Sequence, residues 1–341
     1  MCGIVGYIGN KQAQPVLFEA LKRLEYRGYD SSGIAVCGDS LQVWKGAVRI
    51  NELQLDAPLL TGTKGIGHTR WATHGEPSQA NAHPHCDCTG KIAVVHNGVI
   101  INYQALKDQL IGEGHRFLSD TDTEVISHLI EKYNQGDIEQ AVAEALEKLE
   151  GSYAVAVLFA GDPRMVVAKK GSPLIIGKGD QENFIASDIP AVLEYTDRVI
   201  YLEDGDMAVL SPNEVKINGN EPETIRPVQR IPWSTDSLQK CGYAHFMMKE
   251  IHEQPRVIRD TVSHYQSSNS SLIGRLFSRN QTASGILVLA CGTSYHAGLI
   301  GKYIIEDILN IPTRAELASE INHRDRVIYA PNIISITQSG E

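Results

Sequence analysis

Apolar residues at Val16, Leu17, Ala20, Leu21 and Leu24 recur at the three- and four-residue spacing of one helix face, and Pro15 suits a first helical turn. This predicts an early amphipathic helix. The turn-rich stretch 27–33 leads into short apolar runs at 34–36, 42–44 and 92–95, which read as strands. Further helices are predicted at about 103–112, 123–134 and 138–149, the last with Ile138, Ala141, Val142, Ala145, Leu146 and Leu149 on one side. From Tyr153 to Ile217 short strand-like runs alternate with Gly, Pro and Asp. Strands, then helices, then strands again predict a layered α+β domain with helices packed on sheets.

The pattern changes after 218. Pro222, Pro227 and Pro232 among polar residues predict an exposed connection over 219–243 between a first domain at 2–218 and a second at 244–341. In the second, a helix at about 244–264 should be interrupted at Gln254-Pro255, and 266–284 should be a loop. A buried strand at 285–291, the turn Cys291-Gly292-Thr293-Ser294, a helix at 295–309 and a strand at 333–336 make strand–loop–helix–strand, the start of an α/β domain. The chain then reaches Thr337-Gln338-Ser339-Gly340-Glu341, and a stop inside such a loop leads us to expect a piece of a longer protein.

Composition narrows the function. Lys plus Arg number 31 against 41 Asp plus Glu, a formal net charge of −10 that opposes non-specific attraction to nucleic acid or anionic lipid. The longest apolar run, 153–160, is far below the ~20 residues of a bilayer span, so no membrane contact is expected. The N-terminus lacks the basic and apolar regions of a signal peptide, and the six scattered cysteines suit reduced thiols, so a cytoplasmic location is expected.

Cys2 has a position that carries chemistry. A thiol needs a base, and removal of Met1 would leave thiol and α-amine on one residue, the amine with a pKa of ~7.7–8 against ~10.4 for a lysine. A cysteine there could equally be a small packing residue. Downstream polar motifs decide between these: Arg27-Gly28-Tyr29-Asp30-Ser31, the stretch from Gly67-His68-Thr69-Arg70-Trp71 through Thr73-His74-Gly75 to Pro77, Asn81-Ala82-His83-Pro84-His85 and His96-Asn97-Gly98. With Cys2-Gly3-Ile4-Val5-Gly6 they resemble the class II, N-terminal-nucleophile glutamine amidotransferases. The wording of 24–31, with Cys291-Gly292-Thr293-Ser294 and Gln338-Ser339-Gly340-Glu341, is similar to members whose acceptor is fructose 6-phosphate.

The resemblance implies an αββα glutaminase domain followed by the start of an α/β sugar-isomerase domain, with no cofactor. It implies that Cys2 attacks the side-chain amide of L-glutamine and that Asn97 and Gly98 form the oxyanion hole. Arg70 is then the partner of the substrate carboxylate and Asp122 of its ammonium group. Arg27, Gly28 and His83 would belong to the same pocket, and Trp71, Thr73 and His74 to a mobile flap over glutamine, with the Trp beside an ammonia passage. Thr293, Ser294, Thr337, Gln338 and Ser339 fall at sugar-phosphate positions, and a full-length protein would be a homodimer. The residues alone leave alternatives: Asn-Gly is a common turn, and Thr121-x-x-Glu124 is a capping box in which Asp122 is a first-turn acid.

His83, His85, Cys86 and Cys88 offer soft ligands within six residues, but alternate residues of so short a segment rarely surround one ion, so no metal is expected. Cys37 and Cys241 read as packing thiols. A different acceptor domain would need a phosphoribosyl-pyrophosphate loop or an ATP-pyrophosphatase motif, and neither is found. Intact Cys2, Arg70, Asn97, Gly98 and Asp122 argue against a non-catalytic sugar-phosphate module.

Overall fold

In a computed structural model, which describes residues 2–72, 74–219, 225–232, 243, 245–268, 285–321 and 332–337, strand β1 (Gly3–Ile8) is buried along its whole length. Val5 and Tyr7 face one core and Ile4 and Ile8 another. A strand that must satisfy two cores loses the polar/apolar alternation of a surface strand. The first core is shared with helices α1 (Ala13–Lys22) and α2 (Ile50–Leu55). The second lies between two sheets.

The remaining strands of the first half are β2 (Ser31–Cys37), β3 (Leu41–Gly46), β4 (Lys64–Arg70), β5 (His85–Cys86) and β6 (Ile92–Ile100). Helices α3 (Tyr103–Gly112), α4 (Glu124–Tyr133) and α5 (Ile138–Glu147) follow, close to their predicted limits. Strands β7 (Gly151–Phe159), β8 (Met165–Lys170), β9 (Ile175–Lys178), β10 (Asn183–Ala186), β11 (Arg198–Tyr201), β12 (Met207–Leu210), β13 (Val215–Asn218) and β14 (Gln229–Arg230) complete the unit.

The first sheet has the order β14-β11-β9-β10-β1-β4-β2-β3 and the second β13-β12-β8-β7-β6-β5. Along β7 the apolar run divides by parity. Ala154, Ala156 and Leu158 face the inter-sheet core, while Tyr153, Val155 and Val157 face α4 and α5 through Val125, Leu129 and Ala141. The layers are helix, sheet, sheet, helix: an αββα sandwich.

Strand β4 is not predicted from the pattern, because Gly65 and Gly67 erase its alternation. The glycines are there for α1. A Cβ at these positions would stand 2.7 Å from a methyl of Leu17 and 2.8 Å from one of Leu21, so the helix side chains occupy the space that strand side chains would need.

The chain divides into two compact units, Met1–Gln239 and Lys240–Glu341. The exposed connection predicted at 219–243 is partly docked on the first unit. β14 pairs with β11, Arg226 binds Asp206 and Glu203, and Ile231 is buried. In the second unit, α6 (Phe246–Ser268) passes through Pro255 without the predicted break. A proline removes one helical N–H and crowds the preceding turn, but the turns on both sides of Pro255 keep the helix continuous. The parallel strands β15 (Ile286–Ala290), β16 (Thr313–Leu317) and β17 (Asn332–Ile336) have the order β16-β15-β17, with helices α7 (Gly292–Leu309) and α8 (Ala318–Ile321) between them in sequence. Neither β16 nor α8 is predicted from the pattern, since Arg314 and Glu316 give 313–317 no apolar run. Of the loop predicted at 266–284, residues 266–268 instead end α6, and 269–284, like Cys241, lie outside the described residues.

Candidate active site

Strand register brings Cys2 to Arg70. β1 pairs Gly3 with Thr69, and β2 pairs Ser31 with Arg70, so the residue preceding β1 stands where β4 ends. Cys2 Sγ accepts the Trp71 N–H at 3.2 Å, and the Cys2 carbonyl accepts from Arg27 Nε at 3.0 Å and Asn97 Nδ2 at 3.1 Å. Arg27 is itself held by Asp188, 3.2 Å away. Burial pushes the Cys2 thiol up, against the pull of the Trp71 N–H and the Arg70 and Arg27 guanidinium groups. Gly28 closes this corner: a Cβ there would lie 2.7 Å from the Arg70 carbonyl carbon and 2.8 Å from the Trp71 nitrogen.

Asn97 comes from the second sheet and is oriented by a residue of the first. His68 Nε2 lies 2.9 Å from Asn97 Oδ1 and 3.1 Å from the His96 carbonyl. Both are acceptors, so Nε2 carries the proton and Nδ1, which has no partner among the described residues, is bare. Burial holds the His68 pKa down at about 3, so the ring is neutral. The Asn97 amide is thereby fixed with its NH2 toward Cys2. At Gly98 φ is 135°, and a Cβ would stand 2.1 Å from the Ser152 carbonyl oxygen, so no other residue fits.

His83 is not beside Cys2. Its ring is buried, stacked on His68 at 4.0 Å, and its Nδ1 accepts the His96 N–H at 3.3 Å, which puts it behind Asn97. His68, which holds Asn97, escapes a reading by residue type, because a histidine in a strand looks like an ordinary core residue. Its position two before Arg70, on the same face of β4, is the signal that could have found it.

Arg70 is buried, and its Nη2 donates to the His74 and Gly75 carbonyls, tying the following loop to the strand. Its Nη1 is buried without a partner among the described residues. Burial lowers the Arg70 pKa, and the charges of Cys2, Asp122 and Asp30 oppose that shift, so these groups share one electrostatic neighbourhood. Asp122 is buried and accepts the Ile100 N–H at 2.8 Å. The predicted capping box is not formed. α4 begins at Glu124, the Thr121 hydroxyl meets His85, and Glu124 instead accepts from the Leu118 and Ser119 N–H groups. Trp71 is half-exposed with Tyr29 edge-on at 5.5 Å, and His74 sits edge-on to Tyr103 at 5.5 Å. Thr73 lies outside the described residues.

In the second unit, Ala290 pairs with Ile336, so the loops after β15 and β17 leave the same edge of the sheet side by side. Thr293 and Ser294 open α7 behind Gly292, whose φ is 56°, and Thr337 follows β17 directly. Adjacent C-terminal strand ends with a helix N-terminus are where open α/β sheets take anions. Gln338 and Ser339 lie outside the described residues. Among the described residues, no helix is long and apolar enough to cross a membrane.

Comparison with known proteins agrees with this architecture. Residues 68–194 match the glutamine amidotransferase domain and residues 281–341 the SIS domain. The chain therefore carries a glutamine amidotransferase domain of the N-terminal-nucleophile fold, with SIS-domain sequence behind it. Over its whole length it is related to the glutamine–fructose-6-phosphate aminotransferases (isomerizing). It is 47% identical to the protein of Caldanaerobacter subterraneus subsp. tengcongensis and 49% identical to that of Methanothermobacter thermautotrophicus. All of this chain is covered in both alignments but only 58% of each relative, so it spans little more than half the length of these curated relatives. The fold is also that of the glutamine phosphoribosylpyrophosphate amidotransferase from B. subtilis, with a TM-score of 0.59 at 22% identity over 92% of this chain and 65% of the other.

Proposed function

We propose that the domain at 2–218 hydrolyses L-glutamine through a thioester on Cys2, and that within a longer protein the released ammonia passes to fructose 6-phosphate, giving glucosamine 6-phosphate. After loss of Met1 the Cys2 α-amine takes the thiol proton as sulfur attacks the side-chain amide carbon. The tetrahedral oxygen receives hydrogen bonds from Asn97 Nδ2 and the Gly98 N–H. Collapse expels ammonia, which takes its proton from the α-ammonium, and water then releases glutamate and restores the thiol.

The observation that carries this reading is the Asn97 amide, locked by neutral His68 with its donor toward Cys2. An oxyanion hole is useful only when its dipoles are oriented before charge develops. Arg70 Nη1, without a partner among the described residues, supports a carboxylate ligand, which a planar guanidinium binds through paired hydrogen bonds. We assign Asp122 to the substrate ammonium group, Arg27 and Gly28 to the pocket wall, and Trp71, Thr73 and His74 to its cover. His83 acts through His68 as a positioning residue. Thr293, Ser294, Thr337, Gln338 and Ser339 hold the sugar phosphate in the longer protein, which we place in the cytoplasm as a homodimer.

The test is glutamate release from glutamine by the purified chain, beside Cys2→Ala and an intact mass. Release that vanishes in Cys2→Ala, from protein lacking Met1, is the expected result. Undiminished release in Cys2→Ala, or full activity with Met1 retained, overturns the thiol or the amine assignment. The 341-residue chain is expected to form no amino sugar from fructose 6-phosphate, and its detection would refute the assignment of that step to a longer protein.

A further inference from the structure

Three separate segments converge beside α4. Cys88 comes from the turn after β5, His115 from the loop between α3 and α4, and His128 and Glu131 from α4 itself, with their ligand atoms all within 4.8 Å of one another. Cys88 Sγ is 3.7 Å from His115 Nδ1 and 3.6 Å from His128 Nδ1. The two Nδ1 atoms are 3.3 Å apart, and Glu131 Oε2 lies 2.9 and 3.3 Å from them. Around a tetrahedral zinc with bonds of about 2.0–2.1 Å to N or O and about 2.3 Å to S, the ligand-to-ligand edges are about 3.3 Å for N with N or O and about 3.6 Å for N with S. Of the five edges given, four match that tetrahedron to within about 0.1 Å, and the edge between His115 Nδ1 and Glu131 Oε2 is shorter at 2.9 Å.

Hydrogen bonding alone accounts for it poorly. If both imidazoles donated from Nδ1 to Glu131, two N–H groups would face each other at 3.3 Å. His128 Nε2 would then be a bare nitrogen, buried without a hydrogen-bond partner among the described residues, with the carboxylate oxygen Oε1 of Glu124 3.6 Å away. With both Nδ1 lone pairs on a cation, His128 Nε2 carries the proton and points it at Glu124, the carboxylate–histidine arrangement that orients metal ligands. The Arg116 N–H, 3.3 Å from Cys88 Sγ, suits a thiolate acceptor. Cys88 is exposed, which gives an ion a way in.

We propose that Cys88, His115, His128 and Glu131 form a tetrahedral site for a divalent transition ion, zinc by its sulfur, nitrogen and oxygen donors. On binding, the Cys88 thiol releases its proton to solvent and each ligand contributes one lone pair, with no change in oxidation state. All coordination positions come from the protein, as in structural zinc sites, so the ion acts as a clamp that fixes the turn after β5 and the α3–α4 loop to α4. In the sequence the soft ligands nearest Cys88 are His83, His85 and Cys86. In the fold those histidines turn inward, toward His68 and Thr121, and Cys88 meets ligands 27, 40 and 43 positions away.

The experiment uses the whole chain expressed in zinc-supplemented medium, with metal content by mass spectrometry and cobalt(II) titration of the demetallated protein. Expected are about one zinc per chain and, with cobalt, the strong visible bands and thiolate charge-transfer band of a tetrahedral site containing cysteine. Cys88→Ser and Glu131→Gln should each lower zinc affinity by at least about tenfold, while Cys86→Ser should not change it. A wild-type chain that retains no zinc and gives only octahedral cobalt spectra overturns the proposal. So does zinc retained equally by Cys88→Ser. Should a variant fail to fold, the wild-type metal content and cobalt spectrum still decide.

Discussion

One torsion separates Gly98 from every other residue type. Gly98→Ala must leave a φ of 135° or push the Ser152 carbonyl aside, and either moves the N–H proposed to face the oxyanion. We expect its glutaminase kcat to fall about a hundred- to a thousandfold, a loss similar to that of Asn97→Ala, with the KM for glutamine changed much less. Steady-state kinetics check both; a variant that loses only KM would count against the oxyanion role. His68 makes a different prediction. Its pKa is about 3 in the fold and about 6.5 unfolded, so the unfolded chain gains a proton first as pH falls. The stability it contributes is present above about pH 6.5 and is lost progressively toward pH 3, roughly 2 kcal/mol of it between about pH 7 and pH 5. Urea midpoints at those two pH values should fall accordingly, and less in His68→Gln. The residues proposed for the chemistry, Cys2, Arg70, Asn97, Gly98 and Asp122, stand in motifs that show their types. What orients them is not shown there: a buried neutral histidine is recognised by what surrounds it, and its surroundings come from another sheet.

Helix α1 sits on β4 through two glycines, so the large residues of this contact come from the helix. Leu21 is fully buried, and Leu21→Ala opens a void that no strand side chain can enter. A loss of about 3 kcal/mol is expected from denaturant unfolding. Gly67→Val should also destabilise, by overpacking rather than by a cavity, since a Cβ there already meets Leu21 at 2.8 Å. These elements mark how far a pattern reading reaches. The helices with one apolar face and the long run of β7 are legible because the burial period is written in their side chains. β4 is hidden because its partner supplies the volume, and α6 is broken on paper because a proline says nothing about the length of helix around it. The cluster of Cys88 with α4 is invisible for a related reason: its members are brought together by a turn, a loop and a helix, and no short spacing joins them.

At the scale of the whole chain, the unit Met1–Gln239 has its own three cores, and every residue proposed for glutamine chemistry belongs to it. A chain ended after Gln239 is therefore expected to unfold in one cooperative transition and to keep glutaminase activity within about twofold of the 341-residue chain. Calorimetry and the same assay check this; broad melting would mean that the second unit supports the first. Composition makes the proline-rich stretch after 218 look detached, whereas Arg226 and Ile231 return to the first unit, because an ion pair and one buried side chain leave little trace in a polar segment. Chain termini usually fray, yet β1 lies inside its sheet, hydrogen-bonded to β10 on one side and β4 on the other. Residues from Gly3 onward are thus held by neighbouring strands on both sides. An affinity tag fused ahead of Cys2 could not swing clear of the pocket: it would emerge where Cys2 meets Trp71 and Asn97.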